Sequence, residues 1–320
     1  MLQPCQTPWA CKNASVLSCR ARRRAPTAAE VVVSSLVKSA PGGAGGAKVG
    51  EWRCPTLLNN VPHGAEVRQY FHADCAASVV AALDDGKTRV RTFQQYPETN
   101  VEMDTYRIGT LLEFIRHLAN CLTADGRRVR VCVQGSMGTG VFTAMPLALN
   151  GVRRILESMD WGDAVNDLLD ERNLLRIGGI SAGDVQADDD IFVLIAPQNM
   201  NGHSIMPLLN AFCDAAGTRP VILVNPLLTD IPSANGVMSV RGRAERMQQV
   251  AAFEEIYHFR LIYNKPNIWP IYGCLRKPYG GPWEVYKRTG AREQEAYQFA
   301  QAFATEPGPP ELTDAIRRGD

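Results

Sequence analysis

The sequence has no run of about 20 apolar residues, the length that spans a bilayer. Its longest clean apolar stretch, Ile191 to Pro197, has the length of a buried strand. This argues against a membrane-spanning helix and leaves peripheral association open. The nine cysteines include no C-x-x-C pair. Three of them, Cys5, Cys11 and Cys19, lie near the start, and Cys54, Cys75, Cys121, Cys132, Cys213 and Cys274 are scattered. Cys132 sits in an apolar strand pattern, and Cys75, Cys121 and Cys213 on helical patterns; they read as small buried hydrophobes in a reducing compartment. His63, His72, His117, His203 and His258 show no metal-ligand spacing. No G-x-S-x-G elbow is present, so Ser204 beside His203 reads as a helix cap, and a hydrolase is disfavoured. No P-loop occurs. Nothing calls for a cofactor.

Acids are almost missing from residues 1–50, which carry seven Lys or Arg and one Glu, a net +6. The whole chain is +1, so the remainder is −5. A body with that balance is not an electrostatic nucleic-acid binder, because a phosphate backbone needs a basic surface. The leader is rich in Ala, Ser, Thr, Arg and Gly and lacks the apolar centre of a secretory signal. Its composition fits an organellar transit peptide, unstructured and removed from the mature protein. Residues 51–305 then form one α/β domain, and 306–320, rich in Pro, read as a loose tail.

Within the body, 45% hydrophobic content in the chain as a whole is ample for a core. Val67, Phe71, Cys75, Val79 and Leu83 recur at helical spacing, and Gly86 closes the helix. Thr88–Phe93 reads as a strand. Asp104 is placed to cap a helix carrying Ile108, Leu111, Leu112, Ile115, Leu118 and Leu122 on one face. Strands are expected at 128–133, 173–177, 191–196 and 220–224, and helices at 144–158, 204–216 and 243–253. Three strands follow, at 256–263, 271–276 and 283–288, and then a closing helix at 291–303. Strands alternating with helices and then a β-rich end predict an α/β fold with a mixed sheet. The core is largely parallel and Rossmann-like, with a C-terminal antiparallel extension and helices on both faces. Ile191, Val193, Leu194, Val221, Leu223 and Val131 should be buried on neighbouring strands.

Four segments invite a functional reading. Gly135, Gly138 and Gly140 follow a strand and precede a helix, the context of a phosphate cradle, although the spacing is that of no standard motif. Asp188-Asp189-Asp190 reads as a solvated loop at the wrong strand end for a ligand. Asn225-Pro226 stands at the carboxyl end of a strand and runs towards Arg241, Arg243 and Arg246, which together suit an anion or an acidic protein surface. Tyr279 to Arg288 carries Trp283, Tyr286 and Arg288. Alternation puts Trp283 and Val285 inward, and Tyr286 and Arg288 outward, where they suit a protein contact. Convergence of the glycines, Asn225 and the arginines on one pocket would favour a phosphorylated small ligand. An exposed patch at 279–288 would favour a protein-binding module.

The runs FEEIYHFR at 253–260 and YGGPWEVYKR at 279–288, with strands ending in AP and NP, resemble a domain of unknown function of plants, algae and cyanobacteria. The likeness covers Val61 to Phe303. That family includes the chloroplast Low Photosystem II Accumulation protein, and the same domain is fused to a chloroplast adenylate kinase. The resemblance implies a chloroplast protein, stromal or thylakoid-associated, and a non-enzymatic role in photosystem II assembly through a protein partner. It supplies no catalytic residues. The kinase activity of the fused relative does not carry over, because the kinase portion is missing.

Overall fold

A computed structural model of the protein describes residues 49–55, 58–137, 149–161, 174–232, 238–239, 242–265, 267–290 and 294–317. The described chain opens with an extended strap, residues 49–55. Helix α1 (Ala65–Asp84) buries Phe71, Cys75, Val79 and Ala82, a stripe at spacings of four and three. It ends where Gly86 turns to φ +77 and donates to the Leu83 carbonyl, while Lys87 N–H returns to Ala82, a left-handed cap that favours glycine. Strand β1 (Arg89–Gln95) and a short 3-10 turn lead to α2 (Ile108–Thr123). The residue at the α2 N-cap is Arg107, and no side chain caps it, so Asp104 lies too far back for the expected role. Strand β2 (Val129–Val133), helix α3 (Val152–Ser158), strands β3 (Leu175–Gly179) and β4 (Ile191–Ile195), helix α4 (Met206–Ala216) and strand β5 (Val221–Val224) complete the alternating part. The residue at the α4 N-cap is Ile205, not Ser204 as expected; Ser204, one position earlier, accepts from Met206 N–H through Oγ at 3.2 Å.

A two-residue pair, β6 (Ile231–Pro232) and β7 (Met238–Ser239), and helix α5 (Arg243–Ala251) lead into β8 (Glu254–Ile262), β9 (Gly273–Lys277), β10 (Trp283–Thr289) and β11 (Ala296–Phe303). Helix α6 (Pro309–Arg317) closes the described chain. Nine strands form one sheet in the order β11-β10-β9-β8-β1-β5-β4-β2-β3. From β8 to β3 all neighbours are parallel, and β8 to β11 form an antiparallel meander. The mixed α/β class and the antiparallel extension are as the sequence predicts. Ile191, Val193, Leu194, Val221, Leu223 and Val131 are all buried on adjacent strands.

Two expectations fail at the C-terminal end. Residues 296–303 form strand β11, not a helix. Ala and Gln favour helix locally, but pairing with β10 from Trp283↔Phe303 to Thr289↔Ala296 overrides that preference. Most of the expected loose tail is α6, whose Leu312 and Ala315 pack on Leu275, Trp283 and Val285.

Helices α1, α2 and α3 cover one face of the sheet, where Phe71, Phe114, Leu118 and Leu156 meet Val131, Val193 and Tyr257. Helices α4 and α5 cover part of the other, packing Leu209, Phe212 and Val250 on Phe192, Leu194 and Leu223. Helix α6 covers the β9–β10 end of that second face. Between these two covered areas, β1 and β8 present their second face to a groove.

Candidate functional site

The groove follows from the alternation of β1. Val90, Thr92 and Gln94 are buried under α1, while Arg91, Phe93 and Gln95 are half-buried on the opposite face. On β8 the same face carries His258, Arg260 and Ile262. Because β1 and β8 are parallel neighbours, Phe93↔His258 and Gln95↔Arg260 stand side by side. The resulting cavity is about 910 Å³, floored by Phe93, Arg260 and Ile262 and walled by Leu312 and Ile316 of α6. It lies at the carboxyl ends of the two strands, the end at which open α/β sheets gather ligands.

The floor is rigid. The Phe93 ring stacks on His258 at 4.8 Å between centroids, and His258 stands edge-on to Trp283 at 4.8 Å. His258 Nδ1 lies 2.7 Å from Glu255 Oε1. Burial works to raise the Glu255 carboxyl, but the His258 hydrogen bond, with Arg91 and Lys277 nearby, carries it below the ordinary range. At the mouth, Tyr263 Oη donates to Glu102 at 2.7 Å and Lys265 Nζ at 2.9 Å, which lowers the Glu102 carboxyl.

Arg260 differs from these paired groups. Its side chain is 31% exposed, and the one carboxylate within reach among the described residues, Glu306, stands at 4.0 Å, beyond hydrogen-bond distance. Burial lowers its pKa, with only Glu306 and Tyr263 opposing. An arginine starting so far above neutrality stays charged. The groove therefore offers a cation short of hydrogen-bonded carboxylates beside an aromatic and aliphatic floor, a combination that suits a ligand carrying both an anionic group and apolar surface.

The site residues read from the sequence do not assemble there. Asn225, at φ +47, spends its carboxamide on the main chain of Gln94, accepting from its N–H at 2.6 Å and donating to its carbonyl at 2.9 Å. Gln134 does the same two seams away, between β2 and β4, to both backbone groups of Gln198. These amides knit the strand ends together where the sequence suggested a site mouth. Arg246 is buried and donates to the Thr229 carbonyl at 3.0 Å, and Arg243 pairs with Asp230 at 3.1 Å. Both anchor the loop before β6 and do not form a free clamp. Gly135 is exposed at the end of β2 with no positive φ; Gly138, Gly140 and Arg241 lie outside the described residues.

The 279–288 segment is no outward patch. Tyr286 is 1% exposed, its ring edge-on to Trp52 at 4.9 Å and its hydroxyl donating to Glu284. Alternation is respected, since Trp283 and Val285 share the α6 side, but the strap and α1 cover the other side as well. Arg288 is half-buried with its guanidinium over the Tyr272 ring at 5.6 Å, and Tyr279 packs against the core with its N–H to Ser78. Asp188 and Asp190 are exposed in their loop, as expected, and Asp188 takes two hydrogen bonds from Arg176; Asp189 between them is 2% exposed and takes two from buried Arg130. Arg260 and Phe93 were missed. Their one sequence signal was a phenylalanine on the polar side of β1's alternation.

A family model for a domain of unknown function, DUF1995, matches residues 66–314. The chain belongs to that family. The match runs from the first turn of α1 into α6, so it takes in the entire sheet, the floor of the groove and Leu312 of its wall.

Proposed function

We propose that this protein is a chloroplast accessory factor that acts by binding. Its groove over β1 and β8 would receive an acidic, partly apolar segment of a partner protein during photosystem II biogenesis, in the stroma or at the thylakoid surface. The observation that carries the binding role is Arg260, a half-buried cation with no carboxylate in hydrogen-bond range among the described residues, set beside Phe93. The plastid address rests on the acid-poor leader, and the assembly role on the likeness to the family that includes the Low Photosystem II Accumulation protein. The likeness to the domain fused to a chloroplast adenylate kinase brings no kinase role with it. Among the described residues, no helix is long and apolar enough to cross a membrane.

The test uses the full chain imported into isolated chloroplasts with a photo-crosslinking residue at Thr313, on the groove wall. Thylakoid or assembly subunits should be captured there and not from Arg153 on α3. Arg260→Glu should abolish capture without changing the melting temperature. Equal capture from both positions would refute the groove reading. Sequencing of the endogenous amino terminus should place it near residue 50; abundant peptides from residues 1–40 would refute the leader reading.

A second reading has its own support. The groove's volume falls in the range of small-molecule sites and it lies at parallel strand ends. A saturable rise in melting temperature with sugar phosphates or nucleotides, lost in Arg260→Ala, would favour a phosphorylated ligand instead.

A further inference from the structure

The strap carries the first described residues across β9 and β10, on the face away from α6. Gly50 N–H donates to Glu284 at 3.0 Å, Trp52 lies over the Arg276 guanidinium at 4.8 Å, and the Arg53 carbonyl accepts from Tyr70 Oη at 2.7 Å. Two residues beyond Trp52, Cys54 Sγ stands 3.7 Å from Cys274 Sγ of β9. The two cysteines are 220 positions apart, and both are buried, Cys54 at 6% exposure and Cys274 at 0%. No other pair of sulfurs among the described cysteines is in such contact.

We propose that Cys54 and Cys274 are a disulfide-forming pair, a redox modification site that clamps the strap covalently over the sheet. The oxidant is a disulfide, small-molecule or protein-borne. Cys54 Sγ, as thiolate, attacks one sulfur of that disulfide and releases one thiol. Cys274 Sγ then attacks Cys54 Sγ in the mixed disulfide and releases the second. Two protein thiols become one disulfide, the oxidant's disulfide becomes two thiols, and the two protein protons end on them. Cys54 acts first because it sits on the strap, which can lift, whereas Cys274 lies within a paired strand. Burial, and then the contact with Cys274, pushes the Cys54 thiol up. The exchange therefore proceeds from the lifted strap, slowly at neutral pH and faster in mild alkali. Once formed, the bond closes a loop of more than two hundred residues, the case in which a cross-link restricts the unfolded chain most. This site stands independently of the groove, on the opposite face of the sheet.

The test is a peptide map of the unaltered full chain after incubation with excess oxidised glutathione at pH 8.5, with free thiols alkylated in denaturant. The expected product joins tryptic peptide 54–68 to peptide 261–276. The melting temperature should rise by roughly 5–15 °C, fall back with dithiothreitol, and stay unchanged by oxidant in Cys54→Ser. The proposal is overturned if both cysteines remain alkylatable, or if either ends on glutathione or on another cysteine. The map of the unaltered chain decides the matter even if the variant fails to fold.

Discussion

Among the described residues, Arg276 closes a network of buried charge by itself. Arg276, 2% exposed, gives Asp74 two hydrogen bonds of 2.8 and 2.6 Å and Glu284 one of 2.9 Å. Burial works against the Arg276 charge, but Asp74 outweighs it and holds the pKa above the ordinary arginine value. Arg276→Met should cost about 3–5 kcal/mol in urea unfolding, because it strands two buried carboxylates. His72 makes a second residue-scale prediction. Burial, with His117 and Arg68 nearby, lowers its pKa to about 3, so it is neutral in the fold beside Tyr96 at 2.8 Å. The unfolded chain takes up the proton near the ordinary value of 6.5. Stability from His72 is therefore complete above 6.5 and is lost as pH falls from there towards 3. The melting temperature should drop between pH 7 and 5, and His72→Gln should flatten that slope.

Elements, too, depend on what covers them. Helix α6 opens with Pro309 and Pro310, tolerated in a first turn because the lost N–H groups have no partner there. Leu312, Ala315 and Ile316 then recur at helical spacing. That pattern was legible, but proline content masked it. Removing residues from 309 onward should uncover Trp283 and Val285 and one wall of the groove. The truncated chain should bind an apolar dye and melt at lower temperature; an unchanged melt would show that α6 contributes nothing to the fold. Strand β11 was less legible. Its sequence, AYQFAQAF, has neither clean alternation nor a helical stripe, and a register shift opposite Val285 and Tyr286 blurs the period further.

In the whole molecule the fully buried strands β2, β4 and β5 lie between helices on both faces. Their amides should exchange slowest of all, and those of the strap and α6 fastest among the ordered elements, when read by hydrogen-exchange mass spectrometry. Leu194→Ala, in the middle of β4, should cost about 2–5 kcal/mol. A denaturation midpoint unmoved by that change would contradict a covered sheet.

The sequence by itself determined the central strands, most helices, the class of the sheet and its antiparallel end. Those features rest on local periodicity and on apolar runs such as Ile191–Ile195, which only a two-sided core accommodates. It also displayed the residues of the groove without showing that they meet. Phe93 and Arg260 are separated by about half of the chain, and they share a floor because β8 pairs beside β1 after the chain has built four intervening strands of the parallel part. The same holds for Asn225 with Gln94 and for Cys54 with Cys274. Burial of Tyr286 was decided by tertiary structure as well: alternation assigns a side chain to a face, but whether that face meets water depends on a strap arriving from the other end of the chain.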